Sequence, residues 1–346
     1  MTDMLETPVD AELAGAIAAA AGGPIDQGPA PPRRYKRRGR VTIWLAVAWL
    51  VFLVFSAVGA SWLPYVKHSC SQYDNALQCS TYNKGTPLKI ERPPVWAVWA
   101  HSTTHLPGAP ERAGWMGTDR NGYDIFSRVI YGARISLTIG VLSITFGLLI
   151  GGTLGLLSGY HRGWVDRVTD NTMNIMLAFP ALLLAIFVVT FFNSPDSTDE
   201  VTARKIWPII LALALLSIPP LTRLVRANTL SYAQRDFVLA ARSVGANDRR
   251  IVFREILPNV VPSMISFALT GLALLIVAEG ALAYLGLSVQ APTTTWGKMI
   301  YAGKDRLQDA WWIALMPAFV LFLTILSINL LGDVVAERFN IRDKIE

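Results

Sequence analysis

The chain has 346 residues, of which 52% are hydrophobic and only 16% are charged, and its formal net charge is +6. A water-soluble chain carries about 25% charged residues, so this composition argues against a soluble globular protein and for one whose main solvent is lipid. The positive charge is clustered beside apolar windows, which favours an explanation by membrane topology and argues against nucleic-acid binding.

Residues 1–40 are predicted to form a disordered cytoplasmic tail with a basic end. The first 32 residues are rich in Ala, Gly and Pro, and they offer too little apolar surface to offset the entropy of ordering. Six Lys and Arg residues then stand between Arg33 and Arg40, directly before the first apolar window. This is not the pattern of a cleavable signal, so the first window is predicted to be an uncleaved anchor.

Six windows meet or approach the roughly 20 consecutive apolar residues that a helix needs to cross a bilayer core. They cover residues 41–64, 134–160, 170–192, 206–222, 260–288 and 310–332. The fourth is the shortest and is interrupted by Pro208, Pro219 and Pro220, so five spans are expected if it is re-entrant. The predicted fold class is an all-α integral membrane protein with about six transmembrane helices.

Lys and Arg placement predicts the orientation of these spans, because loops rich in these residues stay cytoplasmic. Basic residues precede the first span, fill the 223–255 segment and recur in the 336–346 tail. With six spans, all three clusters fall on one side, so both termini are predicted to be cytoplasmic. Residues 65–133 are then an extracytoplasmic loop with an interfacial helix, and residues 134–335 are a core of five transmembrane helices.

The predicted extracytoplasmic loop contains both cysteines. Cys70 and Cys79 are separated by eight residues, and in an oxidising compartment a disulfide between them would stabilise a small loop by roughly 2–3 kcal/mol. Two unpaired thiols are the alternative. His101 and His105 are interpreted as ordinary loop residues, because Pro107 follows at once and no Cys or carboxylate completes a set of metal ligands.

Residues 117–137 are predicted to contain an amphipathic helix, capped by Thr118 or Asp119, that rests on the outer membrane surface before the second span. The second span carries glycines at spacings that let helix backbones approach closely in lipid, so we expect it to pack centrally. These glycines are Gly140, Gly147, Gly151, Gly152, Gly155 and Gly159.

The sequence contains no phosphate-binding G-x-x-x-x-G-K-[ST] loop and no arrangement of nucleophile, paired carboxylates or metal ligands that indicates catalysis. ATP hydrolysis by this chain is therefore not expected, and active transport would draw its energy from a partner or from an ion gradient. A gradient-driven carrier usually buries several ionisable groups, whereas here only Glu279 lies clearly within a span. Two roles remain open for Glu279: a structural pair within the bundle, or a contact on the translocation path.

The 237–258 segment is a polar hairpin of two helix signals between the fourth and fifth spans. Ala240 and Ala241 are small enough for a helix to enter a groove, and Gly245 supplies the positive φ of a tight turn between helices. Asn247 or Asp248 is expected to cap the second helix. The segment therefore has the features of a compact docking element.

Three arginines of this segment, Arg242, Arg249 and Arg250, offer charge-assisted contacts to an acidic partner surface. Pro258 is predicted to break the helix before the fifth span. The alternative is a solvated loop that merely obeys the charge rule, but that rule requires no alanines, glycine or proline at these positions.

Here the chain resembles the transmembrane permease subunits of ABC importers. Their motif, E-A-A, three residues, Gly and a later I-L-P, corresponds to Leu239-Ala240-Ala241, Gly245 and Ile256-Leu257-Pro258, with Leu239 in place of the usual Glu. Glu255 also stands where the peptide branch often has His. In that family the motif forms a coupling helix that docks on an ATPase. The resemblance implies that role for Ala240, Ala241, Arg242, Gly245, Ala246, Arg249 and Arg250.

Further blocks look like the C-type dipeptide and oligopeptide permeases and extend the resemblance to about residues 40–335. They include the Gly117–Leu137 entry, Gly163-Trp164-Val165-Asp166, Ala178-Phe179-Pro180, Tyr284-Leu285-Gly286-Leu287 and Trp296-Gly297. The resemblance implies half of a heteromeric peptide-importer pore, embedded in the lipid of the bacterial plasma membrane.

The expected partners are a sister permease, one or two ATP-binding subunits and an extracytoplasmic peptide-binding protein. ATP and Mg would be bound by the ATPase, and no cofactor or metal is expected in this chain. Two other classes remain as alternatives: a gradient-driven carrier that needs no ATPase, and a membrane scaffold without transport.

Overall fold

The computed structural model describes residues 40–60, 91–97, 113–192, 202–289 and 293–340, which are mainly helical. The helices are α1 (Arg40–Val58), α2 (Ile125–His161), α3 (Gly163–Ala178), α4 (Ala181–Phe192), α5 (Thr202–Tyr232), α6 (Asp236–Ser243), α7 (Asp248–Tyr284), α8 (Trp296–Gly303) and α9 (Trp312–Asn340). A 3₁₀ turn, Lys304–Arg306, follows α8. The N-terminal tail up to residue 39 lies outside the described residues, as do Cys70, Cys79, His101 and His105.

Five of these helices, α1, α2, α5, α7 and α9, are long and apolar enough to cross a membrane. A sixth span is obtained if α3 and α4, which meet at an angle of 89°, are counted as one broken span. The predicted class, an all-α membrane protein with about six spans, is confirmed within this range of five to six.

The interruption lies in the third apolar window and not in the fourth, where the sequence suggested it. Helix α5 continues through Pro208, Pro219 and Pro220. Between α3 and α4, Phe179 is extended, with φ −82° and ψ 133°. Pro180 follows it, and a proline disfavours the helical conformation of the preceding residue, so the Phe179-Pro180 pair separates the two helices.

Helix α2 begins later than its predicted cap. The Asp124 carboxylate accepts hydrogen bonds from the backbone N–H of Ser127 at 3.0 Å and from its hydroxyl at 2.6 Å. The cap predicted at Thr118 or Asp119 is therefore wrong. Thr118 instead forms a β-bridge with Asp124, and Asp119 binds Arg128. The helix predicted to rest on the membrane surface is the beginning of α2, which continues without a break to His161.

The glycines of α2 form a seam with α5. Gly147, Gly151, Gly155 and Gly159 recur every four residues and all face α5. A Cβ atom on Gly151 would lie 2.8 Å from the carbonyl oxygen of Ile218, and one on Gly155 would lie 2.7 Å from that of Thr222. The two backbones are thus in direct contact, and the predicted central position of α2 is confirmed.

Helix α1 is fastened to this core at two points. The Arg134 guanidinium of α2 donates to the carbonyl oxygens of Ala57 at 2.9 Å and Val58 at 2.8 Å, which satisfies the C-terminal end of α1. Along its length, the indole N–H of Trp49 donates to the Thr324 hydroxyl of α9 at 3.3 Å. The spans therefore pack as one bundle around α2.

Candidate functional site

The 237–258 segment comprises most of α6, the turn after it and the first turns of α7. Its inner side is anchored in an apolar cluster shared with α2 and α5. Val238, Ile251 and Ile256 are fully buried there against Leu156 and Val225. Because this base is fixed, the side chains on the opposite side of the segment have a defined orientation.

The turn between the two helices is closed by a pair of backbone hydrogen bonds. The N–H of Gly245 donates to the carbonyl of Arg242 at 2.9 Å, and the N–H of Ala246 donates to that of Ala241 at 3.0 Å. This pattern is a Schellman motif, and it requires the left-handed conformation that Gly245 adopts, with φ +83°. The prediction of a positive φ at Gly245 is confirmed.

The start of α7 uses two neighbouring polar residues for different purposes. Asn247 is the N-cap, since its side-chain oxygen accepts from the backbone N–H of Arg250 at 3.0 Å. Asp248 instead accepts a hydrogen bond from the hydroxyl of Tyr160 at 2.5 Å. The guanidinium of Arg242 lies 5.5 Å from the centre of the Tyr160 ring. The sequence offered both residues as caps, and only the packing against α2 distinguishes them.

Helix α7 changes pitch within the segment. Residues Ile251–Ile256 form a π-helical turn, and the N–H of Leu257 bonds to the carbonyl of Val252, five residues back. Pro258 follows, and a proline lacks the N–H of the normal bond and crowds the carbonyl four residues before it. The break predicted at Pro258 is thus a wider turn, through which the helix continues.

The exposed side of residues 239–250 combines apolar and basic groups. Val244 is 89% exposed and Leu239 is 51% exposed. We call this side the docking face; it consists of Leu239, Ala240, Arg242, Val244, Arg249 and Arg250, all of which are exposed. Ala241 and Ala246 are half-buried and turn towards the apolar cluster. Apolar and arginine side chains together are typical of protein–protein interfaces.

Leu239 and Val244 were missed as candidate residues of this face. A hydrophobic residue in a short helix is usually assigned to the buried side. Here Val238 takes the buried position, because α6 packs against α2 and α5 with this side chain facing them. The run Phe237-Val238-Leu239 alone does not indicate which of its three side chains points away.

Glu279 lies at the other end of α7, far along the helix from the docking face. It is 1% exposed, and its Oε1 accepts a hydrogen bond from the hydroxyl of Ser288 at 2.8 Å. Its Oε2 is buried and has no hydrogen-bond partner among the described residues. The close approach of Gly297 to Gly280 places the beginning of α8 directly over this carboxylate. Both roles, a structural pair within the bundle and a contact with passing substrate, stay predictions, and uptake by Glu279→Gln would test the second.

At the same end, three segments of the chain pack together through long-range contacts. We call these segments, residues 91–97, 113–124 and 293–312, the platform. One of its two fully buried indoles fastens it to α2, and the other joins two of its segments. The N–H of the Trp296 ring donates to the carbonyl of Val129 at 3.0 Å, and that of Trp312 donates to the carbonyl of Thr118 at 3.2 Å. Glu91 is buried and pairs with Arg306 at 3.2 Å.

Lys298 fastens the loop before α8. Its ammonium group donates to the carbonyl oxygens of Val289 at 3.0 Å and Thr293 at 3.2 Å. Burial and, to a smaller extent, the positive charge of Arg128 together lower the pKa of Lys298 to about 8. Within the described ranges, no group of three or more His, Cys, Asp or Glu residues is arranged to hold a metal ion.

Fold and site together define a multi-pass helical membrane protein with an exposed apolar and basic segment between two of its spans. Residues 147–341 match the family of binding-protein-dependent transport system inner membrane components, and the chain belongs to this family. It is therefore an inner-membrane permease component of the ABC type, as its motifs indicated.

Curated relatives agree with this assignment. The chain is 42% identical over 224 residues to the glutathione transport system permease protein GsiD of Pectobacterium atrosepticum, covering 65% of this chain and 71% of that one. It is 38% identical to the dipeptide transport system permease protein DppC of Alkalihalophilus pseudofirmus, covering 65% and 70%. With GsiD of Escherichia coli it shares 36% identity over 302 residues, covering 87% and 86%.

The fold is also similar to a membrane component of known structure. Inward-facing structures of the MetNI methionine ABC transporter match with a TM-score of 0.52 and 19% identity. The match covers 62% of this chain and 97% of that one. At this identity the similarity concerns the fold alone.

Proposed function

We propose that this chain forms half of the translocation pore of an ATP-driven importer, and that its docking face couples the pore to an ATPase subunit. The observation that carries the proposal is the exposed, Arg-rich face of residues 239–250 on a base whose inner side is buried in an apolar cluster. The partner ATPase binds ATP and Mg, and this chain is the non-catalytic subunit.

The geometry of the face supports a protein partner. Arginine is costly to place in hydrocarbon, so a surface with Arg242, Arg249 and Arg250 belongs outside the bilayer core. In water, by contrast, Val244 and Leu239 are apolar surface without cover. A partner with acidic and apolar groups satisfies both requirements, because carboxylates pair with the guanidinium groups while the two aliphatic side chains are buried.

The orientation follows from the same charges. The docking face lies on the cytoplasmic side, where Lys and Arg are retained, and the platform lies on the extracytoplasmic side. An external binding protein delivers cargo at the platform, and a sister permease supplies the other half of the pore. The relatives carry the names of glutathione and dipeptide systems, which supports small peptides as the cargo class.

The coupling role is tested by capture of the ATPase on the tagged, detergent-solubilised chain. Gly245→Arg places a bulky cation in the turn of the docking face and should abolish recovery of the ATPase. Gly286→Arg is the matched control, because Gly286 has a similar φ of +78° and equally open surroundings but lies at the other end of α7. Its backbone strain is comparable, so ATPase recovery should stay at the wild-type level.

Recovery of the ATPase at the wild-type level with both variants would show that the docking face does not bind the ATPase. Recovery of no ATPase with the unmodified chain, combined with uptake under an ion gradient alone, would establish the gradient-driven carrier instead. The cargo class is tested separately, by competition of unlabelled glutathione and dipeptides against uptake of a labelled dipeptide. Absence of competition by any small peptide would refute the cargo proposal and leave the coupling role intact.

A further inference from the structure

Three elements of the chain meet at Tyr160, near the end of α2. The tyrosine ring is buried in the apolar cluster beneath the docking face. Its hydroxyl donates to Asp248 of α7 at 2.5 Å, and the guanidinium of Arg242 in α6 lies over its ring. We call residues 237–258 the docking element. One side chain of α2 therefore contacts both of its helices, through a charge-assisted hydrogen bond and a cation–π contact.

The docking element is less firmly joined to its own helix. The π-helical turn Ile251–Ile256 separates the first turn of α7 from its membrane part. Pro258 removes one backbone hydrogen bond, and Pro262 removes another one turn later. Wide turns and prolines are the usual places at which helices bend, so a displacement of Asp248 is absorbed here before it reaches the rest of α7.

Helix α2, in contrast, cannot move alone. Its glycine seam brings the backbone of Gly151 and Gly155 against the carbonyl groups of α5. At the same end, the Arg226 guanidinium of α5 binds the carboxylate of Asp166 in α3, the helix that directly follows α2. A displacement delivered to the end of α2 is therefore shared by α5.

We propose that Tyr160 is the positioning residue through which a movement of the docking element reaches the pore. When the docking element moves, the Asp248–Tyr160 bond pulls the end of α2 with it, and α5 follows α2. Helix α7 meanwhile bends at residues 251–258. This inference rests on the proposed coupling function and adds to it the route that the movement takes. The family motif contains only residues of the docking element, whereas Tyr160 lies on a different helix.

The test uses the complete importer, with sister permease, ATPase and binding protein, reconstituted in vesicles. Tyr160→Phe keeps the ring and its packing but removes the hydroxyl. We expect normal recovery of the ATPase and continued ATP hydrolysis. The amount of labelled dipeptide imported per ATP hydrolysed should fall about tenfold, in line with the loss of a hydrogen bond to a charged group. Asp248→Asn retains an acceptor oxygen and is the conservative control, with a smaller fall.

A double-mutant cycle distinguishes this route from a general loss of packing. Asp248→Ala should lower the import ratio to the same extent as Tyr160→Phe, and the double variant should be no worse than either, because both changes remove one bond. Asp248 is exposed, so this variant tests the route even if Tyr160→Phe folds poorly.

Additive effects, or a wild-type import ratio in Asp248→Ala, would overturn the inference. So would loss of ATPase recovery in Tyr160→Phe with an unchanged melting temperature, because the residue would then serve docking. Failure of the unmodified chain to recover the ATPase is a different result, which refutes the proposed function itself.

Discussion

The two ends of the bundle are built on different principles. The platform end is closed by buried indoles, a buried carboxylate and a lysine that binds loop carbonyls. The hydrogen bonds of the two indoles join residues far apart in the sequence. The docking end is fixed on its inner side alone and leaves Val244 and three arginines uncovered. It also contains the π-helical turn and two prolines.

We infer from this difference that the platform end is rigid and that the docking end can change shape. An end with many specific buried contacts keeps its shape, which suits a surface that receives cargo from a delivering protein. An end with an uncovered face and a weakened helix can follow a partner that changes its own shape. Conformational change in transporters generally combines such rigid parts with a few bending positions. The following predictions test whether rigidity belongs to the platform and mobility to the docking end.

The largest effect is expected from Trp296→Ala at the platform. The indole is fully buried and its N–H bonds to Val129, so its removal should lower the free energy of unfolding by about 3–5 kcal/mol. Thermal unfolding of the detergent-solubilised chain measures this. Trp164→Ala removes the same side chain from a position that is 76% exposed and should change the melting temperature little. Similar losses in both variants would contradict a rigid, packed platform.

A smaller loss is expected from Gly155→Ala in the seam between α2 and α5. The added Cβ would lie 2.7 Å from the Thr222 carbonyl oxygen and from the Cβ of Val225. Overpacking of this kind costs about 1–3 kcal/mol. Gly280→Ala is the matched control, since its added Cβ would meet its nearest neighbour, the Cα of Gly297, at 3.9 Å. Equal stability of the two variants would show that the seam does not join α2 to α5 rigidly.

The smallest effect concerns the pH dependence at Lys298. Its folded-state pKa of about 8 lies below the 10.5 of an unperturbed lysine, so the unfolded chain binds more protons between these values. Stability should therefore rise with pH from about 8 to 10.5 by this contribution, and below pH 8 the buried charge is a constant penalty. The measurement is the melting temperature of the wild type relative to Lys298→Met, which keeps the apolar stem. A difference that is flat across this range would contradict the buried, charged lysine.

Much of the docking end was predictable because its determinants are local. The positive φ at Gly245 depends on residues within one turn of the chain, and this prediction was confirmed. A cap at Asn247 or Asp248 was predicted in the same way, and Asn247 provides it. The cap of α2 was predicted wrongly, because Thr118, Asp119 and Asp124 are all suitable residues. Their different roles depend on the contacts that fold Asp119 onto Arg128.

The sequence by itself determined the membrane class, the number of apolar helices within one and the central position of α2, because hydrophobic length and glycine spacing act along a single helix. Only the tertiary structure decided which side chains of residues 239–250 are uncovered and where the third apolar window breaks. It alone paired Asp248 with Tyr160, 88 residues away, and enclosed Glu279 under the turn that contains Ser288. Such contacts arise from the packing of helices against one another, and no periodicity within one segment encodes them.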